Sequence, residues 1–264
     1  MILRILKVYF YFLSQNLKKE MIYRVNFLMF FVFDVLGALI TVLFFKIIFD
    51  ENKLIAGWNF GATLILVGTI GVIRELSFLT FKEGFGMLGH IIPKGRFDLV
   101  LIKPFPIQLM VAFENISIIE SFGEGLLGLG LIIYGAANSN ASITFLNILF
   151  FLLFVICSYI LYYSFALMIN SLSFWVNRTQ GFQSLVYNFL DMAQYPRDIL
   201  RGFGKIIFTF IIPVSIVATV PAQALMGNLR AEMAMILFLM TIIFFTLANF
   251  IWRKGIRRYE SASS

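Results

Sequence analysis

The sequence predicts an all-α polytopic membrane protein with six transmembrane helices. Two observations carry that prediction. Of the 264 residues, 60% are hydrophobic and only 13% charged, where a soluble domain carries about 25% charged residues. Several apolar stretches also reach the ~20 residues that a helix needs to cross ~30 Å of hydrocarbon. The polar breaks between these stretches are short, so the expectation is a single transmembrane domain over 1–264 with no separate soluble domain.

Residues 1–24 mix apolar positions with Arg4, Lys7, Lys18, Lys19 and Arg24. That pattern suits a helix lying in the interface with its basic face toward headgroups. It reads as retained rather than cleaved, because Lys7 breaks the apolar run and no small-residue cleavage site follows before Lys18-Lys19-Glu20. The first span is expected from about Val25 to Phe49, with Asp34 inside it. The second covers roughly Trp58 to Phe81 and carries Arg74-Glu75 near its end.

A charged segment from Lys82 to Pro104 follows, rich in turn residues and unable to lie in lipid. The third span is expected from about Pro106 to Gly135, interrupted by Glu114, Glu120 and Glu124. The fourth, from Ile143 to about Trp175, is the longest, with Asn170 its most polar interior residue.

Beyond Asn177-Arg178-Thr179-Gln180 the pattern becomes irregular. Gly181 to Gln194 is short and holds Ser184, Asn188 and Asp191; Tyr195-Pro196-Arg197-Asp198 ends it. Ile206 to Val220 is cut by Pro213 and closed by Pro221. Two short, proline-cut apolar segments predict a broken or re-entrant element, roughly 195–228, which is tolerated at membrane depth only where protein or water satisfies its backbone. Either segment can serve as the fifth span, and both versions give six crossings. The last span runs from about Ala231 to Ile251, and 252–264 forms a basic tail.

Charge sets the orientation. Segments 1–24, 82–104, 176–180 and 252–264 together carry fourteen Lys and Arg, and the alternate loops carry five. The positive-inside rule therefore puts both termini in the cytoplasm. The same rule accounts for the net charge of +7 without nucleic acid. The weak point is the cluster Arg197, Arg201 and Lys205, which argues locally for Ile206–Val220 as the fifth span.

Chemistry-bearing motifs fail on context. Gly84-Phe85-Gly86-Met87-Leu88-Gly89 and Gly123-Glu124-Gly125-Leu126-Leu127-Gly128 match the dinucleotide fingerprint, but neither follows the soluble strand that it requires. Gly202-Phe203-Gly204-Lys205 lacks the spacing and hydroxyl of a phosphate loop. One histidine, His90, and one cysteine, Cys157, supply no conventional His/Cys metal site. No catalytic constellation is present, so the chain is expected not to be an enzyme.

Ionisable residues inside spans are expensive and normally face a bundle interior, a partner or water. Helical spacing puts Ser117, Glu120 and Glu124 on one face, with Glu114 well around from it. Ser184, Asn188 and Asp191 share a face at i, i+4 and i+7. Glu120, Glu124, Ser184, Asn188 and Asp191 are thus candidates for a translocation path, or else polar contacts between helices. Arg74 and Glu114 are a candidate intramembrane ion pair. Ser121, Gly125 and Gly128 have the spacing for close helix packing.

Gly95-Arg96-Phe97-Asp98-Leu99-Val100-Leu101-Ile102-Lys103-Pro104 resembles the loop of a bacterial permease family. Trp252-Arg253-Lys254-Gly255-Ile256-Arg257-Arg258-Tyr259-Glu260-Ser261 resembles the same family's closing signature, and Tyr195-Pro196 and Pro213…Pro221-Ala222 fit its pattern. The family is the ABC-2 type permeases, in a branch encoded beside a second permease and a separate ATPase. The resemblance implies a cytoplasmic coupling helix between spans two and three, a re-entrant element between spans five and six, and Gly181–Gln194 as the fifth span. It further implies a bacterial plasma-membrane exporter subunit that dimerises with a second permease, among membrane lipids. ATP and Mg are then expected on the partner ATPase and none on this chain. Gly95, Arg96 and Asp98 become the coupling candidates. The rival reading is a gradient-driven secondary transporter or channel with an acidic path, against which stands the lack of a clear inverted repeat.

Overall fold

A computed structural model describes residues 2–49, 54–118, 122–139, 141–176 and 180–259. The described residues are helical with no strand. Helix α1 (Ile2–Glu20) is amphipathic and lies against the charged segment and the start of the third apolar run. Arg4 donates to the carbonyl of Pro104 (2.8 Å), and the Tyr9 hydroxyl donates to that of Leu79 (3.1 Å). Helix α2 (Arg24–Ile48) is long enough to cross a membrane, yet only 6% of its apolar window is buried, against 61% for α3 (Phe60–Phe78).

Three short helices, α4 (Lys82–Gly86), α5 (Leu88–Ile91) and α6 (Asp98–Leu101), make up the charged segment. The third apolar run is not one helix but two, α7 (Ile107–Glu114) and α8 (Phe122–Asn138). This corrects the expectation of one span from Pro106 to Gly135. The cause is external to the run. Asn16 of α1 donates to the Glu114 carbonyl (3.4 Å), and the Glu20 carboxylate accepts from the Ile118 amide (3.2 Å). Backbone groups freed by the break thus find partners on α1, which is what an interruption at this depth requires.

Among the described helices, α8 packs along α3 more extensively than any other pair does. Glycines permit it. A Cβ on Gly68 would stand 2.5 Å from the Gly128 carbonyl oxygen, so any side chain there forces the backbones apart. Helix α9 (Phe145–Ser171) is the central pillar, flanked by α12 (Val214–Leu225) and α13 (Ala231–Arg258). Helix α13 continues through the basic tail to Arg258, so most of that tail is an extension of the last span.

Helix α10 (Gln180–Met192) rises along α9. Gln183 at its start donates to the Gly86 carbonyl, and Asp198 beyond its end accepts from the Trp58 indole (3.0 Å). Gly86 and Trp58 lie beyond opposite ends of α3, so residues 183–198 traverse the height of the bundle. The next segment, α11 (Gly202–Ile206) with a π-helical turn over Ile207–Ile211, bends by 85° into α12 at Pro213. Gln223, near the end of α12, donates back to Asp198 (3.3 Å). The two ends of the segment 198–223 therefore meet at one end of the bundle. Across the bend the Thr209 and Ser215 hydroxyls lie 3.3 Å apart, and Arg197 Nε donates to Thr209 (3.2 Å).

Four described helices are long and apolar enough to cross a membrane, or five with the bent pair taken as one.

Candidate functional site

Arg74, in the last turns of α3, is the hub of the polar interior. Its guanidinium reaches Glu124 on the first turn of α8 (3.0 Å) and Asp191 on the last turn of α10 (2.5 Å). One cation thus ties three elements together. Asp34 of α2 joins them: its carboxylate touches the bare backbone of Gly123, the position beside Glu124. Asp34, Arg74, Glu124 and Gln194 line a cavity of about 300 Å³ between α2, α3 and α8. Two carboxylate oxygens there, Asp34 Oδ2 and Glu124 Oε2, are buried without a hydrogen-bond partner among the described residues. Buried acceptors of this kind attract a donor or a cation.

The expected Arg74–Glu114 pair does not form. Glu114 closes α7 and pairs with Lys103 (3.3 Å), while the break after it lets Glu124 swing to Arg74 instead. Of the path candidates, Glu124 and Asp191 meet at Arg74. Ser184 and Asn188 do not: they lie exposed on the α10 face turned away from Tyr162 and Phe165 of α9, and the Ser184 hydroxyl donates to its own helix at Gly181 (2.8 Å). Glu120 and Ser121 lie outside the described residues. Ser117 sits in the non-helical break, so it shares no helical face with Glu124.

A second cation lies just below. Lys82, at the start of α4, is buried at 6% exposure. Its ammonium stands 3.7 Å from the Phe78 ring centre and 4.3 Å from that of Tyr187. Burial, assisted by the nearby Arg74 charge, pushes its pKa down to about 8. The Tyr187 hydroxyl donates to Glu83 (2.8 Å), so α10 is also bonded to the charged segment.

The coupling candidates form one turn. Gly95 takes φ +67, a backbone state that favours glycine, and lets the chain reverse between α5 and α6. Arg96 points outward, exposed, while its amide donates to the Ile91 carbonyl (3.0 Å). Phe97 points the other way and is fully buried, edge-on to Phe174 (5.3 Å) and Tyr259 (5.0 Å). Burial and the neighbouring Asp98 carboxylate raise the pKa of the Tyr259 hydroxyl. The two stretches of sequence that resemble family signatures are therefore packed together in space. On the outer side of this turn, Met87, His90, Arg96, Leu99 and Ile102 are exposed.

Reading the sequence by itself missed Asp34, Gln194 and Lys82. A lone acid in an otherwise apolar run is the signal that marks Asp34; Gln194 and Lys82 sit at span edges and carry no such mark.

A family profile described as ABC-2 family transporter protein matches residues 35–263. No curated protein matches.

Proposed function

The chain belongs to the ABC-2 transporter family, and from that premise we propose that it is the membrane-spanning permease subunit of an ATP-binding-cassette exporter. It crosses the membrane six times, by α2, α3, the α7–α8 pair, α9, α10 and α13, with both termini in the cytoplasm. A second permease subunit completes the pore, and ATP with Mg is bound and hydrolysed on a separate ATPase subunit. The path runs past Asp34, Glu124 and Asp191.

The observation that carries this reading is the position of Phe97. It plugs an exposed, mixed polar and apolar turn into a cluster made by the ends of α9 and α13. A push on Gly95, Arg96 and Asp98 from a cytoplasmic partner is passed to two long helices rather than absorbed by a loose loop. The same push acts on α10 through Glu83 and Tyr187, and so on the Arg74 hub. A partner biases such an equilibrium only by contacting the two states differently, and the exposed Arg96 is the contact for that.

The test is reconstitution of this chain with its cognate ATPase in proteoliposomes. The double variant Arg96→Ala, Asp98→Ala is expected to insert normally but to lose most of the ATP turnover that depends on the complex. Unchanged turnover and unchanged co-purification of the ATPase would overturn the coupling assignment. Gradient-driven flux through the purified chain alone would instead support the secondary-transporter reading.

A further inference from the structure

At the end of the bundle opposite the 82–104 segment lies a second cavity, about 450 Å³, with walls that are mainly polar. It is lined by Trp58, Asn59, Ser139, Asp198, Gln223 and Arg230, among others. No element of the transport reading uses it. Its walls come from the turn before α3, the end of α8, the linker after α10, the end of α12 and the start of α13, so five parts of the chain converge there.

The polar groups are held firmly and are incompletely satisfied. Asp198 Oδ2 accepts from the Trp58 indole (3.0 Å) and from Gln223 Nε2 (3.3 Å). Because Gln223 spends its amide nitrogen on Asp198, its carbonyl oxygen Oε1 is left as an acceptor; it is buried, with no partner among the described residues. Asp198 Oδ1 receives no hydrogen bond there either. Trp58 is itself buried at 3% exposure, which fixes the carboxylate in place. Asn59 is committed to capping α3 and to the Ser139 carbonyl (3.0 Å). Arg230 lines the same cavity, and among the described residues no carboxylate pairs with it. One anion, Asp198, and one cation, Arg230, thus line a polar cavity with no ion pair between them, and the neighbouring Arg197 guanidinium feels both charges.

We propose that this cavity binds a zwitterion consisting of a primary ammonium and an anionic group on one short frame, of the phosphoethanolamine kind. The ammonium offers three N–H donors, and Asp198 Oδ1, which no side chain among the described residues donates to, accepts from it. The anionic group meets the Arg230 guanidinium, a donor fork suited to phosphate or carboxylate. The group arrives either as a phospholipid headgroup at the membrane surface or as a free solute. A trimethylammonium headgroup has no N–H and does not satisfy Asp198. The proposal is independent of the transport reading, since binding is measured without any ATPase.

The test uses the purified full chain and reads tryptophan fluorescence, with Trp58→Phe separating the Trp58 signal from Trp175 and Trp252. Phosphoethanolamine is titrated as the soluble probe. In parallel, the protein is reconstituted into vesicles containing phosphatidylethanolamine or only phosphatidylcholine. The expected result is a saturable change that vanishes in Trp58→Phe. It is about tenfold weaker in Asp198→Asn, which keeps the acceptor for the indole but removes the charge, and weaker again in the exposed-site variant Arg230→Gln. A response to the soluble probe identifies a free solute as sufficient; a response only to phosphatidylethanolamine vesicles identifies the lipid as the source. Equal saturable responses in the two vesicle types, wild-type affinity in both charge variants, or no saturable change with either probe overturns the proposal.

Discussion

The two ends of the helix bundle are held by different forces. At the 82–104 end, aromatic rings pack into one cluster: Phe97 on Phe174 and Tyr259, Phe174 on Trp252 (5.6 Å), Phe81 on Tyr163 (5.0 Å). At the opposite end, the turn before α3, the linker after α10 and the end of α12 are joined through Trp58, Asp198 and Gln223 by single hydrogen bonds. Each of these rings buries a large apolar surface, and Phe97, Phe174 and Phe81 each contact more than one other ring, so the contacts are mutually supporting. A hydrogen bond is directional and is worth only about 1 kcal/mol net. The first end is therefore expected to respond as a block, and the second to loosen at its individual hydrogen bonds. On the coupling proposed above, that difference divides the end that is pushed from the end that yields.

The contrast predicts a large mutational cost at one end and a small one at the other. Phe97→Ala removes a fully buried ring from the centre of the cluster. It is expected to destabilise the folded chain by about 3–5 kcal/mol, seen as a lowered unfolding midpoint in detergent with little dependence on salt. A loss below about 1 kcal/mol would mean that the cluster repacks, and the block description would fail. Phe97→Leu keeps much of the apolar volume and is expected to recover part of the loss.

Much of this architecture was legible in the sequence, and the illegible parts share a cause. Helices α2, α3, α9 and α13 follow from long apolar runs, because length alone decides them. The turn at Gly95 follows from its neighbours, and Arg74 stands out as an ion inside a span. Its partner did not follow. Glu114 and Glu124 lie in one apolar run, and choosing between them requires knowing that α1 caps a break at 115–118. The Trp58–Asp198 bond joins residues 140 positions apart and leaves no local pattern. Periodicity reports how a segment meets its solvent, whereas pairing between polar residues depends on which segments become neighbours.

A smaller effect sharpens the aromatic end. Lys82 sits among Phe78 and Tyr187, with its pKa near 8 against an ordinary value of 10.5. Between these two values the unfolded chain binds more protons than the folded one. Stability therefore rises as pH increases from about 8 toward 10.5, and below pH 8 the burial penalty of the charged lysine is fully present. The slope is up to about 1 kcal/mol per pH unit. Unfolding midpoints measured across that window in wild type and Lys82→Met give the check: the slope attributable to this lysine disappears in the variant. Identical slopes would place the ammonium in water rather than between the rings.

The smallest effect is at the polar end. Trp58→Phe keeps an aromatic ring in the buried position and deletes the indole N–H that bonds Asp198. Asp198 retains the Gln223 donor and lines a polar cavity open to water, so the carboxylate is not stranded. The expected cost is about 1 kcal/mol, well below that of Phe97→Ala. Hydrogen exchange adds the spatial test. Faster exchange is expected in the segment 198–223 and at the start of α3, with no change in the amides of 88–101. Faster exchange at both ends would show that the bundle responds as one unit, and the distinction between a block and a set of separable bonds would be lost.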